Sequence, residues 1–567
     1  MPTLHLGDDI NTDDIIPAQR GTNADPAYLA HYAFEHLIGA GQLSNYRVIE
    51  AGNNFGCGSS REFAPIAIKA AGIELVRAKS FAEIFYRNSL NIGLPLEQIG
   101  EAKTASSPVV TALLAAGGLL PLTQKRLNQQ LQLPPSQTAA RPMTLAEKLL
   151  ARASGNRYVR PGEVVFARVD LAMSHDAIAG PVAQLFHRQF GLKARLWDTD
   201  RVVLVADHFI QISEIRPDSG AEQMRQQMVE FAQEQGCHLF DIVSPGEAAG
   251  ICHVLLPERG FIRPGMVIAG TDSHSCTYGA LGCFSTGVGT TDMASIFAAG
   301  ELWIRVPETL RIELSGTLPP ELSAKDIMLF ILGELGCDGA TGKVIEFGGS
   351  VIAQLNMDER MTLSNMTVEC GAVCGLMPVD AVTRAYLESR TKADWSAIVG
   401  DPDAEYVQTY SFDLSELKPQ VACPPKPDQV MQIADLKEVP ITRAFIGSCT
   451  GGKLSDLAQA AAVLKGQRVA PEVSLFVVPA SQEIRQQAES LGYLDTFSTA
   501  GGQVLKSGCG ACINAGQGVL GKAEVGIYAT NRNFKGRSGD PSAQNYLASP
   551  RSVAISAVRG KIADRLV

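Results

Sequence analysis

The sequence predicts an α/β protein built from several parallel-sheet units, and three observations carry that expectation. Tyr46–Ala51 reads as a strand, Gly52–Glu62 as a glycine-rich loop, the stretch after it as an apolar helix and Glu74–Ala78 as a second strand. Strand, loop, helix and strand in that order make a crossover unit of a parallel sheet. Two apolar runs, Val202–Ala206 and Gly265–Gly270, end directly on Asp207-His208 and on Thr271-Asp272-Ser273-His274. Uninterrupted apolar strands are buried on both faces, and their carboxyl ends are where open α/β sheets place ligand sites. The third observation is size: 567 residues, 46% hydrophobic with 54 glycines, suffice for three to four loop-rich domains.

Taken in order, residues 1–125 form one small α/β unit. Its glycine-rich loop sets Ser59 and Ser60 beside Arg61. A guanidinium there suits bidentate binding of a carboxylate, and a serine beside that charge suits a base once deprotonated. An ordinary turn with Ser60 capping the next helix fits the same residues. Phosphate binding finds no GxxxxGK[ST] pattern. Residues 126–155 read as a polar, Gln- and Pro-containing connector that closes with a short helix over Met143–Ala153.

The next unit, 156–305, holds both strand-end Asp/His groups and Gly250-Ile251-Cys252-His253. A carboxylate beside an imidazole orients the ring and raises its basicity. Each pair alone also fits a surface loop or a capped helix; two of them plus His253 point toward acid–base chemistry. A unit over 306–420 follows, with Glu346 in Val344–Gly349 as either a site acid or a solvated strand-end carboxylate. The chain is Pro- and Lys-rich around 415–440, which reads as a second linker, and 421–567 forms the last unit.

That last unit carries Gly447-Ser448-Cys449-Thr450, Ser507-Gly508-Cys509-Gly510-Ala511-Cys512 and Asn531-Arg532-Asn533-Phe534-Lys535-Gly536-Arg537. Iron–sulfur cubes usually take four cysteines. Cys449, Cys509 and Cys512 make three, which would leave one metal position free, as a catalytic zinc site does. The same CxxC also fits a redox pair, a zinc half-site or two core cysteines. Arg532 and Arg537 in a glycine-bearing loop suit a polycarboxylate or a solvated basic turn.

Net charge is −10, which disfavours nonspecific nucleic-acid binding. The N-terminus lacks a basic stretch followed by an apolar core, and no apolar run reaches membrane-spanning length. The expectation is a cytoplasmic chain without membrane or nucleic-acid partners, whose 12 cysteines are reduced thiols.

Together GSSRE, GTDSH, GSCT, SGCGAC and NRNFKGR resemble the aconitase superfamily, in its 3-isopropylmalate dehydratase and homoaconitase branch. The resemblance covers nearly the whole chain. It implies an aconitase-like α/β fold with three domains around a cluster site and a swivelling small domain at the N-terminus. Residues 1–125 match the small part and 156–567 the large part, fused, so that no separate small subunit is needed. It implies that Cys449, Cys509 and Cys512 ligate a [4Fe-4S] cluster whose open iron acts as a Lewis acid. Ser59 would remove the proton next to a carboxylate, and Ser60, Arg61, Ser273, Arg532 and Arg537 would bind carboxylates. Asp207 and His208 would protonate the leaving hydroxyl, with His253, Asp272, His274 and Glu346 completing the pocket.

Two departures stand out. The family's serine loop usually continues Arg-Glu-His, and here it reads Arg61-Glu62-Phe63. Its specificity loop commonly carries Tyr-Leu, and here it reads Ala18-Gln19-Arg20-Gly21-Thr22-Asn23. Gly21 and Thr22 leave room for a bulky group, whereas Arg20 suits a third carboxylate. The resemblance thus implies a hydro-lyase acting on a 2-substituted malate, with an isopropyl, benzyl or carboxyalkyl substituent. Homoaconitase or aconitase activity on a tricarboxylate is the alternative within the family. A cluster-free nucleic-acid-binding regulator is the alternative outside it, and a salt-dependent RNA shift would mark it.

Overall fold

The computed structural model describes residues 2–17, 20, 25–57, 62–100, 107–134, 136–210, 220–241 and 249–566. At the N-terminus four parallel strands lie in chain order: Thr3–His5, Val48–Ala51, Leu75–Ala78 and Leu96–Gln98. The crossover read from the sequence is present. Its helix, Phe63–Ala70, buries Ala64, Ala67 and Ile68 against this sheet's core. The helix stops before Gly72, whose φ of +89° is a backbone state that glycine adopts without strain.

A second, all-parallel sheet has the order Phe284–Gly287, Val267–Gly270, Leu171–His175, Val202–Val205, His238–Phe240. Its three central strands are almost wholly buried, which is why they read as unbroken apolar runs. A third parallel sheet runs Cys374–Leu376, Val344–Gly348, Thr309–Ser315, Gln408–Asp413. The fourth has seven strands, with Val525–Tyr528, Arg443–Ile446 and Ser474–Val477 parallel at its centre.

The stretch around 415–440 differs from the linker expected for it. Gln420–Ala422 and Val430–Gln432 pair antiparallel and form one edge of the seven-stranded sheet. Pro424, Pro425 and Pro427 fall in the turn between them, where no ladder hydrogen bond is needed. The connector at 126–155 is also more than a tether. Thr144 and Glu147 form a capping box that opens the helix Leu145–Ser154. This helix buries Leu145, Leu149 and Leu150 against Val165, Val267 and Val344, residues of three different sheets. Each buried leucine contributes about 1.5–3 kcal/mol.

The N-terminal sheet unit docks on the helix Thr290–Ala299. Arg87 grips Asp292 with two bonds of 2.8 Å, and Trp303 Nε1 donates to Asn91 Oδ1 at 2.7 Å. The N-cap of that helix is Gly289, which has no side chain to offer its free N–H groups. Glu62 supplies the acceptor instead: its Oε2 takes the Thr291 N–H at 3.4 Å. Burial pushes the Glu62 carboxyl up to about 7, with the Asp292 charge adding to the effect. The sign follows. Below the usual carboxylate pKa near 4.5 both docked and released forms hold the proton. Between there and about 7 only the docked form does, so docking weakens as pH rises across that window. Glu62→Gln is therefore expected to raise the melting temperature at pH 7 and to flatten its fall between pH 5 and 7. The expected gain is on the order of 1–2 kcal/mol for this partly wet group, read from thermal melts of both proteins across that range.

Among the described residues no helix is long and apolar enough to cross a membrane.

Candidate active site

Three adjacent strands of the second sheet end side by side on the same edge, and each delivers a histidine and an aspartate. Leu171–His175 leads into Asp176, Val202–Val205 into Asp207-His208, and Val267–Gly270 into Asp272-Ser273-His274. Asp272 stands between the rings. Its carboxylate accepts from His253 Nε2 at 2.8 Å and from the His274 N–H at 2.7 Å, and it faces His208 Nε2 at 3.3 Å. Burial would raise this carboxyl, but His253 and His208 outweigh it and hold Asp272 well below the usual range.

His208 Nδ1 lies 2.5 Å from Asp207 Oδ1, and the other Asp207 oxygen accepts the Cys252 N–H at 2.8 Å. Burial would neutralise the His208 ring. The neighbouring Cys509 and Asp207 prevail and raise it well above its usual pKa. His175 stacks on it, ring centroids 3.8 Å apart and planes 7° off parallel. Burial and the His208 charge press His175 down to about 3, so it is neutral. Asp176 fixes the backbone beneath by accepting from His208 N at 3.1 Å and Phe209 N at 2.9 Å. These four side chains and the His253–Asp272–His274 group lie close enough to hold an ion. Asp176 and Asp207 already spend their oxygens on backbone amides and on His208, so the first group is a positioning network.

The fourth sheet brings the cysteines to this edge. Cys449 follows the strand Arg443–Ile446, and Asn531 and Arg532 follow Val525–Tyr528. Ser448 adopts φ +70° and Gly508 φ +147°, so both cysteine loops turn through backbone states that L side chains rarely take. The Cys509 N–H donates to Asp207 O at 3.0 Å, tying the CxxC to the Asp/His strand end. Cys509 Sγ lies 3.9 Å from His208 Nδ1. Asn365 Nδ2 donates to Cys449 Sγ at 3.2 Å, and Asn531 contacts both Cys449 Sγ, at 3.5 Å, and Cys512 Sγ, at 3.3 Å. Burial pushes the Cys449 thiol up to about 12.

The donor chemistry fits an iron–sulfur cube. The buried thiols of Cys449 and Cys512 meet at Asn531, amide donors of Asn365 and Asn531 face Cys449 Sγ, and the partly buried Cys509 lies against His208. The surroundings also hold buried polar atoms without a partner among the described residues, Ser507 Oγ and His175 Nδ1; Arg537 Nε is buried and unpartnered too, with no bond to any of these site residues.

Arg532 reaches from the cysteine side to the histidine side. Its Nε bonds both oxygens of Glu369, at 2.8 and 3.0 Å, and its Nη1 donates to Ser273 Oγ at 3.1 Å. Glu369 also meets His274 Nε2 at 2.9 Å. Burial opposes ionisation of Glu369, but Arg532 and His274 keep its pKa low.

The structure thus gathers Asp207, His208, His253, Asp272, Ser273, His274, Arg532 and the three cysteines. Glu346 stands apart: its oxygens bond Arg311 Nη1 at 2.8 Å, Tyr406 Oη at 2.9 Å and Leu145 N at 3.3 Å. Arg20 is held bidentately by Glu35, at 2.9 and 3.1 Å, and lies 3.9 Å over the Tyr32 ring. Ser59, Ser60, Arg61, Gly21 and Thr22 lie outside the described residues. Sequence reasoning missed His175, Asp176, Asn365, Glu369 and Asn531. The His175-Asp176 pair closes an apolar strand as Asp207-His208 does, and that signal would have found it. Asn365 and Glu369 carry no comparable mark.

The chain matches the Aconitase family (aconitate hydratase) over residues 147–438 and 432–560, and the Aconitase C-terminal domain over residues 42–100. The probable methanogen homoaconitase large subunit of Methanothermobacter thermautotrophicus is 46% identical over 423 residues, which cover 74% of this chain and 97% of that protein. The probable 3-isopropylmalate dehydratase large subunit of the same organism is 43% identical over 420 residues, with 74% and 98% covered. Among solved structures, the crystal structure of 3-isopropylmalate dehydratase from Methanocaldococcus jannaschii is 36% identical, covers 23% of this chain and 95% of its own, and has a TM-score of 0.20.

Proposed function

This chain belongs to the aconitase family, and we propose that it interconverts a 2-substituted malate and its 3-substituted isomer by removing and re-adding water. It is an iron–sulfur hydro-lyase of that family, and its cofactor is a [4Fe-4S] cluster. Cys449, Cys509 and Cys512 would hold the cluster, which supplies Lewis-acid polarisation of the hydroxyl and its neighbouring carboxylate.

The observation that carries the reading is the reach of Arg532 from the cysteine-bearing sheet to Glu369 and Ser273, beside the histidines that Asp272 gathers. Arg532 with Ser273, and Arg537 with its unpartnered Nε, bind substrate carboxylates and offset the charge that grows as the neighbouring C–H is broken. Glu369 keeps Arg532 and His274 in place. His208 carries the acid proton, and Asp207 fixes its ring at 2.5 Å. The proton on His208 Nε2 goes to the departing hydroxyl, and Ser59, acting as its alkoxide, takes the proton from the adjacent carbon and becomes a neutral hydroxyl. Water and an unsaturated acid result, and the reverse steps at the other carbon give the isomer. In this reading residues 1–125 are the small part, fused ahead of the large part, and they bring Ser59 and Arg61 to the site.

An apolar substituent is favoured. Arg20 already commits its Nε/Nη2 edge and its charge to Glu35, which weakens its pull on a third carboxylate. The likeness to a homoaconitase large subunit supports the second reading, a tricarboxylate. Anaerobic reconstitution followed by assay of isopropylmalate, benzylmalate, homocitrate and citrate decides between them, through absorbance of the conjugated acid. The expected order places one apolar-substituted malate at least tenfold ahead in kcat/KM, as pocket contacts of that size allow. Preference for homocitrate or citrate would overturn the apolar reading, and no turnover of any of the four would overturn the reaction.

A further inference from the structure

Two lysines are buried behind the Cys449 loop, and among the described residues only one is directly ion-paired. Lys453, 0% exposed, pairs with Asp456 at 3.0 Å while donating to Cys449 O at 3.0 Å and Thr362 Oγ1 at 2.7 Å. Lys325, 1% exposed, opens the helix Ala324–Leu335. Its Nζ donates to Thr450 Oγ1 at 2.8 Å and Thr530 O at 2.6 Å, and touches Met366 Sδ at 3.5 Å. All three acceptors are neutral, and no carboxylate pairs with it among the described residues. A buried ammonium without an anion is costly, and natural chains rarely keep one. The placement names the missing partner. Thr450 follows Cys449, and Thr530 precedes Asn531, the residue that contacts both Cys449 and Cys512. Burial and the Lys453 charge pull Lys325 down to about 7, while Asp456, Cys449 and Cys512 lie close enough to raise it.

We propose that Lys325 is a positioning residue that acts through charge: it is the counter-ion of the thiolate-bound cluster, stabilising its assembly and favouring its reduced state. The inference rests on the cluster assignment. It differs from a structural staple in what removal of the charge does to the empty protein. A staple stabilises the chain whether or not the cluster is there. An unpaired cation destabilises the empty chain and is offset only when the anionic cluster arrives.

Lys325→Met keeps the stem and deletes the charge. The cluster-free variant is expected to melt no lower than the cluster-free parent. Retention of iron against a chelator should fall at least tenfold. The midpoint potential of the loaded variant, from an EPR-monitored titration, should move negative by about 59 mV, a tenfold change for one electron. Lys325→Arg, which keeps the charge, should hold most of the parent's potential. An unchanged potential and iron retention in Lys325→Met overturns the proposal. So does a cluster-free Lys325→Met that melts lower or fails to fold, because that is the staple's behaviour. A shift in Lys325→Arg as large as in Lys325→Met overturns it as well. If the parent itself binds no iron and sulfide, the cluster assignment fails first, and that result is distinct from a loaded parent matched by a loaded variant.

Discussion

Cys509→Ser is expected to yield a folded, colourless protein without iron, sulfide or turnover. The replacement changes one atom, whose other polar contact is His208 Nδ1 at 3.9 Å. The Cys509 backbone N–H is committed to Asp207 O at 3.0 Å, and the turn before it is set by Gly508 at φ +147°. Neither depends on the sulfur. A hydroxyl is a hard donor and a weak acid, so it does not replace a soft thiolate on iron. Two remaining thiols, Cys449 and Cys512, would then face a cube with two uncovered corners. The melting temperature of the cluster-free variant should match that of the cluster-free parent, which separates loss of the cofactor from loss of the fold. Turnover should drop below about one part in 10⁴, since both the polarised hydroxyl and the stabilised carboxylate go together. Iron and sulfide content, visible absorbance and an anaerobic assay check it. A brown, active Cys509→Ser would remove the cysteine trio from the site.

Much of this site was legible in the chain because parallel sheets place chemistry at strand ends. An apolar run stopped by Asp-His is a local signal, and Val202–His208 and Val267–His274 each contain it in full. The cysteine and arginine loops were legible for a different reason: glycine-dense turns with thiols or guanidinium groups have few bland uses. Glu346 shows the limit of the local signal. It ends no apolar run on a bare edge; Arg311, Tyr406 and the Leu145 amide already claim its carboxylate. Glu369, which lies between His274 and Arg532, sits in a short turn after the helix Met357–Met366 and has no sequence context to mark it. Only the packing of the third sheet's unit against the fourth brings it there. Lys325 was illegible for the same reason, since a lysine in the first turn of a helix ordinarily reads as solvent-facing. The Pro-rich edge strands around Gln420–Gln432 were lost to composition, which reports the turn and not the ladder.

Asp272→Asn is expected to leave the cluster in place and to lower kcat by about 10²–10⁴, the usual range for a disabled acid–base group. The argument runs through three imidazoles. Asp272 accepts from His253 Nε2 at 2.8 Å, from the His274 N–H at 2.7 Å, and faces His208 Nε2 at 3.3 Å. An asparagine keeps one acceptor oxygen for the first two but turns an NH₂ toward His208, donor against donor. The ring that must deliver a proton then loses the charge that orients its Nε2, while Asp207 still holds Nδ1 at 2.5 Å. None of the atoms that bond Arg532, namely Glu369 and Ser273 Oγ, is touched, so carboxylate binding and KM should change little. No cysteine bonds Asp272 either, so the visible spectrum should persist. Glu346→Gln is the matched control: a buried carboxylate removed elsewhere in the same chain, expected to leave kcat near the parent's. Steady-state kinetics on the preferred substrate, with the cluster content measured on each sample, reads the difference. Should the two variants lose kcat alike, the effect would belong to burial of charge in general and the Asp272 network would hold no special place in proton transfer.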